Sequence, residues 1–152
     1  MNLIYHYSCE TYLDSIIQSG KLIVSNWENN NNVKPAALWL STNTIWENTA
    51  TKMIEDNDVV RLLTKDEQHN MFGLIRFIID FNSITTCNWN RYKYSTNTTI
   101  EVYNSMEQYG VEIGANPNEW FATFLNIPLQ NCIGCDIWDG TTWQPHPTFT
   151  KG

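Results

Sequence analysis

The chain predicts an α+β fold, and three observations carry that expectation. Short runs rich in β-branched and aromatic residues outnumber the segments with helical periodicity. The helical segments fall mostly in the first half and the middle. Neither an internal repeat nor a linker divides the chain, so residues 1–152 are expected to form a single domain. With 42% hydrophobic and 13% aromatic residues, a chain of 152 residues buries a real core without staples.

Leu3-Ile4-Tyr5-His6-Tyr7-Ser8 reads as the first strand. Ser8 is placed to cap a helix from about Cys9 to Ser19, where Tyr12, Leu13, Ile16 and Ile17 share a face and Gly20 provides the stop. Leu22-Ile23-Val24 reads as a short strand, and the polar run Asn29 to Asn32 as an exposed loop ending at Pro35. Ala37-Leu38-Trp39-Leu40-Ser41-Thr42 forms the next strand, followed by a helix through Trp46, Ala50 and Met53.

Thr64-Lys65-Asp66-Glu67 has the form of a capping box and opens a brief helical turn. Met71 to Ile79 is the strongest strand, with Ile75, Phe77 and Ile79 on one face and Leu74, Arg76 and Ile78 on the other. A polar helix is expected from Thr98 to Tyr109. A loop from Gly110 to Asn118 then leads into the strand Glu119-Trp120-Phe121-Ala122-Thr123-Phe124. Ile127 to Leu129 continues that strand or turns from it. Cys132 to Trp138 is the last strand, with an Asp139-Gly140 turn before Thr141-Thr142-Trp143.

Nine Lys and Arg stand against sixteen Asp and Glu, for a formal net charge of -7. Such a surface repels a phosphate backbone, and Arg91-Tyr92-Lys93 is the densest basic point, so a protein partner fits better than nucleic acid. No signal peptide or membrane-length apolar run is evident, so a cytoplasmic setting is expected. Cys9, Cys87, Cys132 and Cys135 then read as reduced thiols, with neither a disulfide nor a metal. Cys132-Ile133-Gly134-Cys135 has metal or redox spacing but no second pair, and His146 lies between Pro145 and Pro147 in an expected exposed tail. Arg76 is assigned to the wet face of its strand. Ser8, Ser41 and Ser105 lie in no nucleophile elbow, and no Gly-rich phosphate loop is present.

Three short segments carry a candidate site: Tyr5-His6-Tyr7-Ser8, Leu38-Trp39-Leu40-Ser41 and Asn118-Glu119-Trp120-Phe121. In that order they resemble the ADP-ribosyltransferase superfamily, in its histidine–tyrosine–glutamate branch, which includes diphtheria-toxin-like and poly(ADP-ribose)-polymerase-like domains. The resemblance implies an ADP-ribosyltransferase-like split β-sheet core of two small packed sheets with flanking helices. It also implies that NAD is the substrate. His6 and Ser8 take the first-strand positions that hold the NAD, and Tyr7, standing where the family has Gly, offers its carbonyl between them. Trp39 takes the place of the aromatic that stacks on nicotinamide, Ser41 follows it on the cofactor side, and Trp46 supplies a second wall.

Glu119 takes the place of the catalytic carboxylate. A carboxylate suits this chemistry because cleavage of the nicotinamide–ribose bond passes through an oxocarbenium-like state, whose positive charge it stabilises. Pro117 stands where arginine-modifying relatives carry a second acidic residue, which argues against arginine as acceptor. The implied function is NAD-dependent ADP-ribosyl transfer to a macromolecule, by a small cytoplasmic effector, toxin or phage factor. The alternatives are a non-catalytic module binding NAD or ADP-ribose, and an acidic protein-binding inhibitor. Taken singly, these residues also have ordinary roles: a strand histidine is often structural, and a tryptophan in an apolar run is often core.

Overall fold

The computed structural model describes residues 2–25, 36–95 and 99–149, so the polar run Asn29 to Asn32 and its end at Pro35 lie outside the described residues. The first half contains β1 (Leu3–Ser8), α1 (Leu13–Ser19), β2 (Lys21–Leu22), β3 (Leu38–Ser41), β4 (Met53–Asp56), β5 (Val59–Leu62) and α2 (Lys65–Phe72). The second half contains β6 (Ile75–Asp80), β7 (Cys87–Asn88), α3 (Trp89–Ser95), α4 (Ile100–Glu112), β8 (Trp120–Thr123), β9 (Ile127–Pro128), β10 (Cys132–Trp138) and β11 (Trp143–Pro145). The architecture is mixed α+β, built on a large antiparallel sheet.

That sheet has seven strands in the order β11-β10-β6-β1-β3-β8-β7. Its strongest ladder joins β1 to β6 along their whole length, from Leu3 opposite Asp80 to Ser8 opposite Ile75. β3 and β8 are matched just as completely, from Leu38 opposite Thr123 to Ser41 opposite Trp120. Between β1 and β3, however, a single residue pair, Tyr5 opposite Ser41, holds the register. The sheet is therefore two well-zipped halves joined at one point. They are parts of one sheet rather than the two separately packed sheets expected.

Alternation along the strands sorts the side chains. One face gathers Ile4, Leu38, Leu40, Ile75, Phe77 and Ile79 under Leu13 of α1 and Leu22 of β2. Each such side chain contributes roughly 1.5–3 kcal/mol on full burial, so this layer is the main core. On the other face the clusters divide with the halves: Tyr5, Tyr7, Trp46 and Leu74 pack together on the β1 side. Trp89, Tyr92, Tyr103, Trp120 and Ala122 form a second cluster on the β3–β8 side.

The strong periodic segments appear where the sequence places them. β6 buries Ile75, Phe77 and Ile79 in strict alternation, although Met71 and Phe72 close α2 instead of opening the strand. Gly73, at φ 71, makes the break. The capping box forms: Thr64 Oγ1 accepts from the Glu67 amide and Glu67 Oε1 accepts from the Thr64 amide, both at 3.1 Å. Gly20, at φ 75, ends α1 in the left-handed region.

Other segments differ. Ser8 caps nothing; it pairs with Ile75 as the last residue of β1, and a 3-10 turn (Glu10–Tyr12) precedes α1. Only Lys21–Leu22 is strand in the Leu22-Ile23-Val24 region, because the Val24 amide donates to Asn126 Oδ1 at 2.8 Å and leaves the ladder. The helix through Trp46, Ala50 and Met53 is replaced by a 3-10 turn (Asn48–Ala50) and the β4–β5 hairpin. Asn57 and Asp58, at φ 51 and 64, make its turn, a conformation that Asn and Asp tolerate better than most residues. α3 was not foreseen, and α4 runs past Tyr109 to Glu112.

Gly110 explains how α4 seats. A Cβ there would stand 2.4 Å from Cη2 of Trp120, whose ring is fixed by a hydrogen bond from Nε1 to Glu47. Gly110→Ala gains about 1 kcal/mol of helix propensity, whereas overpacking a fixed ring costs about 1–3 kcal/mol. The expected outcome is a lower urea midpoint. A stabilised variant would show that Trp120 does not press on this helix.

Candidate functional site

The weak junction between β1 and β3 opens a cavity of about 680 Å³ on the side of the aromatic clusters. Its walls are largely apolar rings: Tyr5 and Tyr7 from β1, Trp39 from β3, Trp120 from β8, and Trp89 and Tyr109 from α3 and α4. Besides the tyrosine hydroxyls, its polar groups are few, namely Ser41, Glu47, Thr49 and Thr51, together with His6 at the seam. Size and composition are those of a small-molecule pocket. A smaller hollow of about 240 Å³ is lined by Ser8, Tyr12, Ser15, Ser19 and Lys21, and His6 lines both spaces.

His6 is the bridge of the seam. Its Nδ1 lies 2.9 Å from the Trp39 carbonyl oxygen. A carbonyl only accepts, so Nδ1 carries the proton and Nε2 keeps its lone pair. Burial lowers the pKa of His6 below 6.5, against a smaller raising effect from the Trp39 carbonyl, and the ring is neutral near pH 7.

Trp39 lines the cavity while Tyr92 meets its ring edge-on at 4.7 Å and Trp89 lies 5.9 Å away. Tyr7 presents its ring to the cavity, and its hydroxyl donates to the Asn43 carbonyl at 2.5 Å. Burial, more than any neighbour, pushes its phenol up to about 12. Trp46 is not among the lining residues. It meets Tyr7 edge-on at 5.3 Å and its Nε1 donates to Thr51 Oγ1, so it backs the Tyr7 wall instead of forming a second one.

Glu47 is the carboxylate inside the cavity, and only 7% of it is exposed. Oε2 accepts from Ser41 Oγ at 2.7 Å. Oε1 accepts from Trp120 Nε1 at 3.1 Å, from Thr49 Oγ1 at 2.8 Å and from the Thr49 amide at 3.2 Å. The last bond caps the 3-10 turn that follows. Glu119 stands at the edge, one residue before Trp120, and its backbone carbonyl extends the β3–β8 ladder by accepting from Thr42 N. Its Oε1 accepts from Asn43 Nδ2 at 3.3 Å. Asn43 in turn donates its amide to Ser41 Oγ at 3.1 Å, so one polar chain runs Glu119–Asn43–Ser41–Glu47.

The structure thus gathers His6, Tyr7, Trp39 and Ser41 around the cavity and puts Ser8 in the adjoining hollow. It leaves Glu119 outside the cavity lining, tied to it through Asn43, and Trp46 behind the wall. Sequence reasoning missed Glu47, Asn43 and Thr49. The signal for Glu47 was its place two residues ahead of Thr49, where a carboxylate caps a turn, directly after a tryptophan.

Two residues set aside in the sequence sit differently. Arg76 is not on a wet face: it pairs with Asp136 at 2.9 Å and lies over the Tyr5 and Trp143 rings. His146 is buried, not in an exposed tail, because its amide donates to the Cys135 carbonyl and extends the contact of β11 with β10. Cys9, Cys132 and Cys135 are buried, and Cys87 is partly so; burial pushes the Cys135 thiol up to about 12. No helix among the described residues is long and apolar enough to cross a membrane. No protein-family model, curated protein or solved structure matches the chain.

The lowered pKa of His6 gives a signed expectation. Above about pH 6.5, its ordinary value, the ring is neutral folded and unfolded, and stability is complete. As pH falls below that, the unfolded chain takes up a proton that the native ring resists, and stability is lost until the folded pKa is passed. His6→Gln keeps an N–H for the Trp39 carbonyl but does not titrate. Chemical denaturation at pH 7.5 and 5.5 should show a smaller loss in the variant than in wild type. Equal losses would place the acid sensitivity elsewhere.

Proposed function

We propose that this protein transfers ADP-ribose from NAD to a macromolecular target, more readily a protein than a nucleic acid. The observation that carries the reading is the seam. The strands bearing His6, Trp39 and the Glu119 segment lie side by side as β1, β3 and β8, and the sheet is all but parted between the first two. This arrangement supports an ADP-ribosyltransferase-like domain, with NAD seated along the seam and its nicotinamide end in the aromatic cavity. A cytoplasmic effector, toxin or phage factor is the setting this activity fits.

The chemistry assigns one task to each group. Trp39 and Tyr7 hold the flat nicotinamide ring by offset or edge contacts. His6, with Nδ1 committed to the Trp39 carbonyl, offers Nε2 as an acceptor for a ribose hydroxyl. Ser8 lines the hollow on the other side of His6, where the remainder of the dinucleotide extends. Glu119 stabilises the positive charge that develops on the ribose as nicotinamide departs, and Asn43 orients its carboxylate. With the acidic surface of a chain at net charge -7, a protein acceptor with a basic face is favoured.

A second reading, a nucleotide-binding module without turnover, draws on the position of Glu119 outside the cavity lining. Two variants separate the readings. Glu119→Gln keeps shape and hydrogen bonding but removes the charge used in the transition state, so turnover should fall by about 10²–10³ with NAD affinity unchanged. Trp39→Ala should weaken NAD binding by up to about tenfold through lost ring contact. Calorimetry with NAD and mass spectrometry of NAD incubated with protein and lysate read both effects. Binding without consumption selects the silent module. Neither binding nor consumption sinks both readings and leaves the acidic protein-binding inhibitor.

A further inference from the structure

Glu47 has structural duties, capping a turn and joining Ser41 to Trp120, and it also brings a carboxylate into the cavity without a cation beside it among the described residues. It is a carboxylate, 7% exposed, facing an aromatic cavity. All four of its hydrogen-bond donors, Ser41, Trp120 and the two groups of Thr49, are neutral. Among the described residues, the ion pairs join Arg61, Arg76, Lys93 and His146 to other carboxylates, and none reaches Glu47. A buried charge is normally paired. Oε1 takes three of these bonds and Oε2 one, so Oε2 retains accepting capacity. Three indoles, Trp39, Trp89 and Trp120, line the same space, and indole faces attract cations.

We propose that this cavity is a site for a flat cationic ring, and that Glu47 selects a pyridinium over a neutral or anionic ring of the same shape. The inference rests on the reading of the seam as an NAD cleft, whose substrate carries its nicotinamide as a pyridinium, and adds Glu47 as the residue that reads that charge. The uncompensated carboxylate supplies the counter-charge, and the indoles supply faces that tolerate it. An anionic ring meets the same carboxylate as repulsion, which no aromatic contact offsets. The preference also ends with the reaction. When the glycosidic bond breaks, its electron pair leaves with the ring nitrogen and the ring becomes neutral, while the positive charge passes to the ribose and is quenched by the acceptor nucleophile. Glu47 therefore holds the substrate ring more firmly than the departing product.

Three small probes of nearly equal shape test this by calorimetry on the intact chain: 1-methylnicotinamide (cation), nicotinamide (neutral) and nicotinate (anion). Wild type should bind the cation about tenfold more tightly than nicotinamide, and nicotinate most weakly. Glu47→Gln, with its fold checked by circular dichroism, should bring the first two affinities together. Equal or reversed order in wild type overturns the proposal, as does an unchanged ratio in a folded Glu47→Gln or no binding of any probe. If Glu47→Gln does not fold, the wild-type ranking alone decides. A Glu47-dependent cation preference in a protein that ignores NAD would keep this inference and defeat the transferase reading. NAD consumption without any cation preference would do the reverse.

Discussion

The single residue pair between β1 and β3 is the constraint on which the site depends. A sheet zipped throughout would leave no space at its centre, and a sheet fully parted would lose the register that aligns His6 with Trp39. The hydrogen bond from His6 Nδ1 to the Trp39 carbonyl gives that backbone acceptor a side-chain donor where the β1–β3 ladder is thin. Substituting a side-chain bond for ladder bonds lets the strands diverge without a bare polar edge. It also fixes the histidine tautomer. The same contact thus joins the two strands and sets which ring nitrogen is free.

Around that seam the polar groups form a network instead of a scatter. Ser41 pairs with Tyr5 in the one surviving register position, and its hydroxyl donates to Glu47. Glu47 accepts from Trp120, whose ring is the surface against which Gly110 brings α4. Asn43 ties the Glu119 carboxylate to the same hydroxyl and accepts the Tyr7 phenol at its carbonyl. The β1 half, the β3–β8 half and α4 thus share one connected set of bonds. Networks of this kind specify a position sharply when every member is satisfied.

Much of the framework was legible because it is local. Alternation along Ile75 to Ile79, the box from Thr64 to Glu67 and the turn after Trp138 each need only a few consecutive residues. The misread helix from Trp46 to Met53 shows the limit. Spacing of three apolar residues pointed one way, while Asn57-Asp58 and the β-branched Val59-Val60 favoured a hairpin, and the turn chemistry prevailed. Of the site, His6, Tyr7, Trp39 and Ser41 could be picked out because they sit on readable strands. Glu47 could not, since its significance comes from Trp120, a partner 73 residues away. The burial of Arg76 and His146 was likewise invisible until Asp136 and Glu10 were brought beside them.

The cavity persists because its walls are committed elsewhere. Trp39 is held by Tyr92 and Trp89 on one side of the seam, and Tyr7 by Trp46 and Trp143 on the other. The edge-on contacts of Tyr92 with Trp39 and of Trp46 with Tyr7 fix ring orientation as well as burying area, so neither ring is free to collapse across the opening. The floor resists closure for a different reason. Apolar rings pressed onto Glu47 would remove the last solvent from a carboxylate that no cation among the described residues meets, at a cost that neutral hydrogen bonds alone offset only in part. An apolar residue in its place would let the seam fill from within. On the proposed reading, the same buried carboxylate that disfavours collapse of the cavity is the group that favours an occupant bringing a positive charge to it.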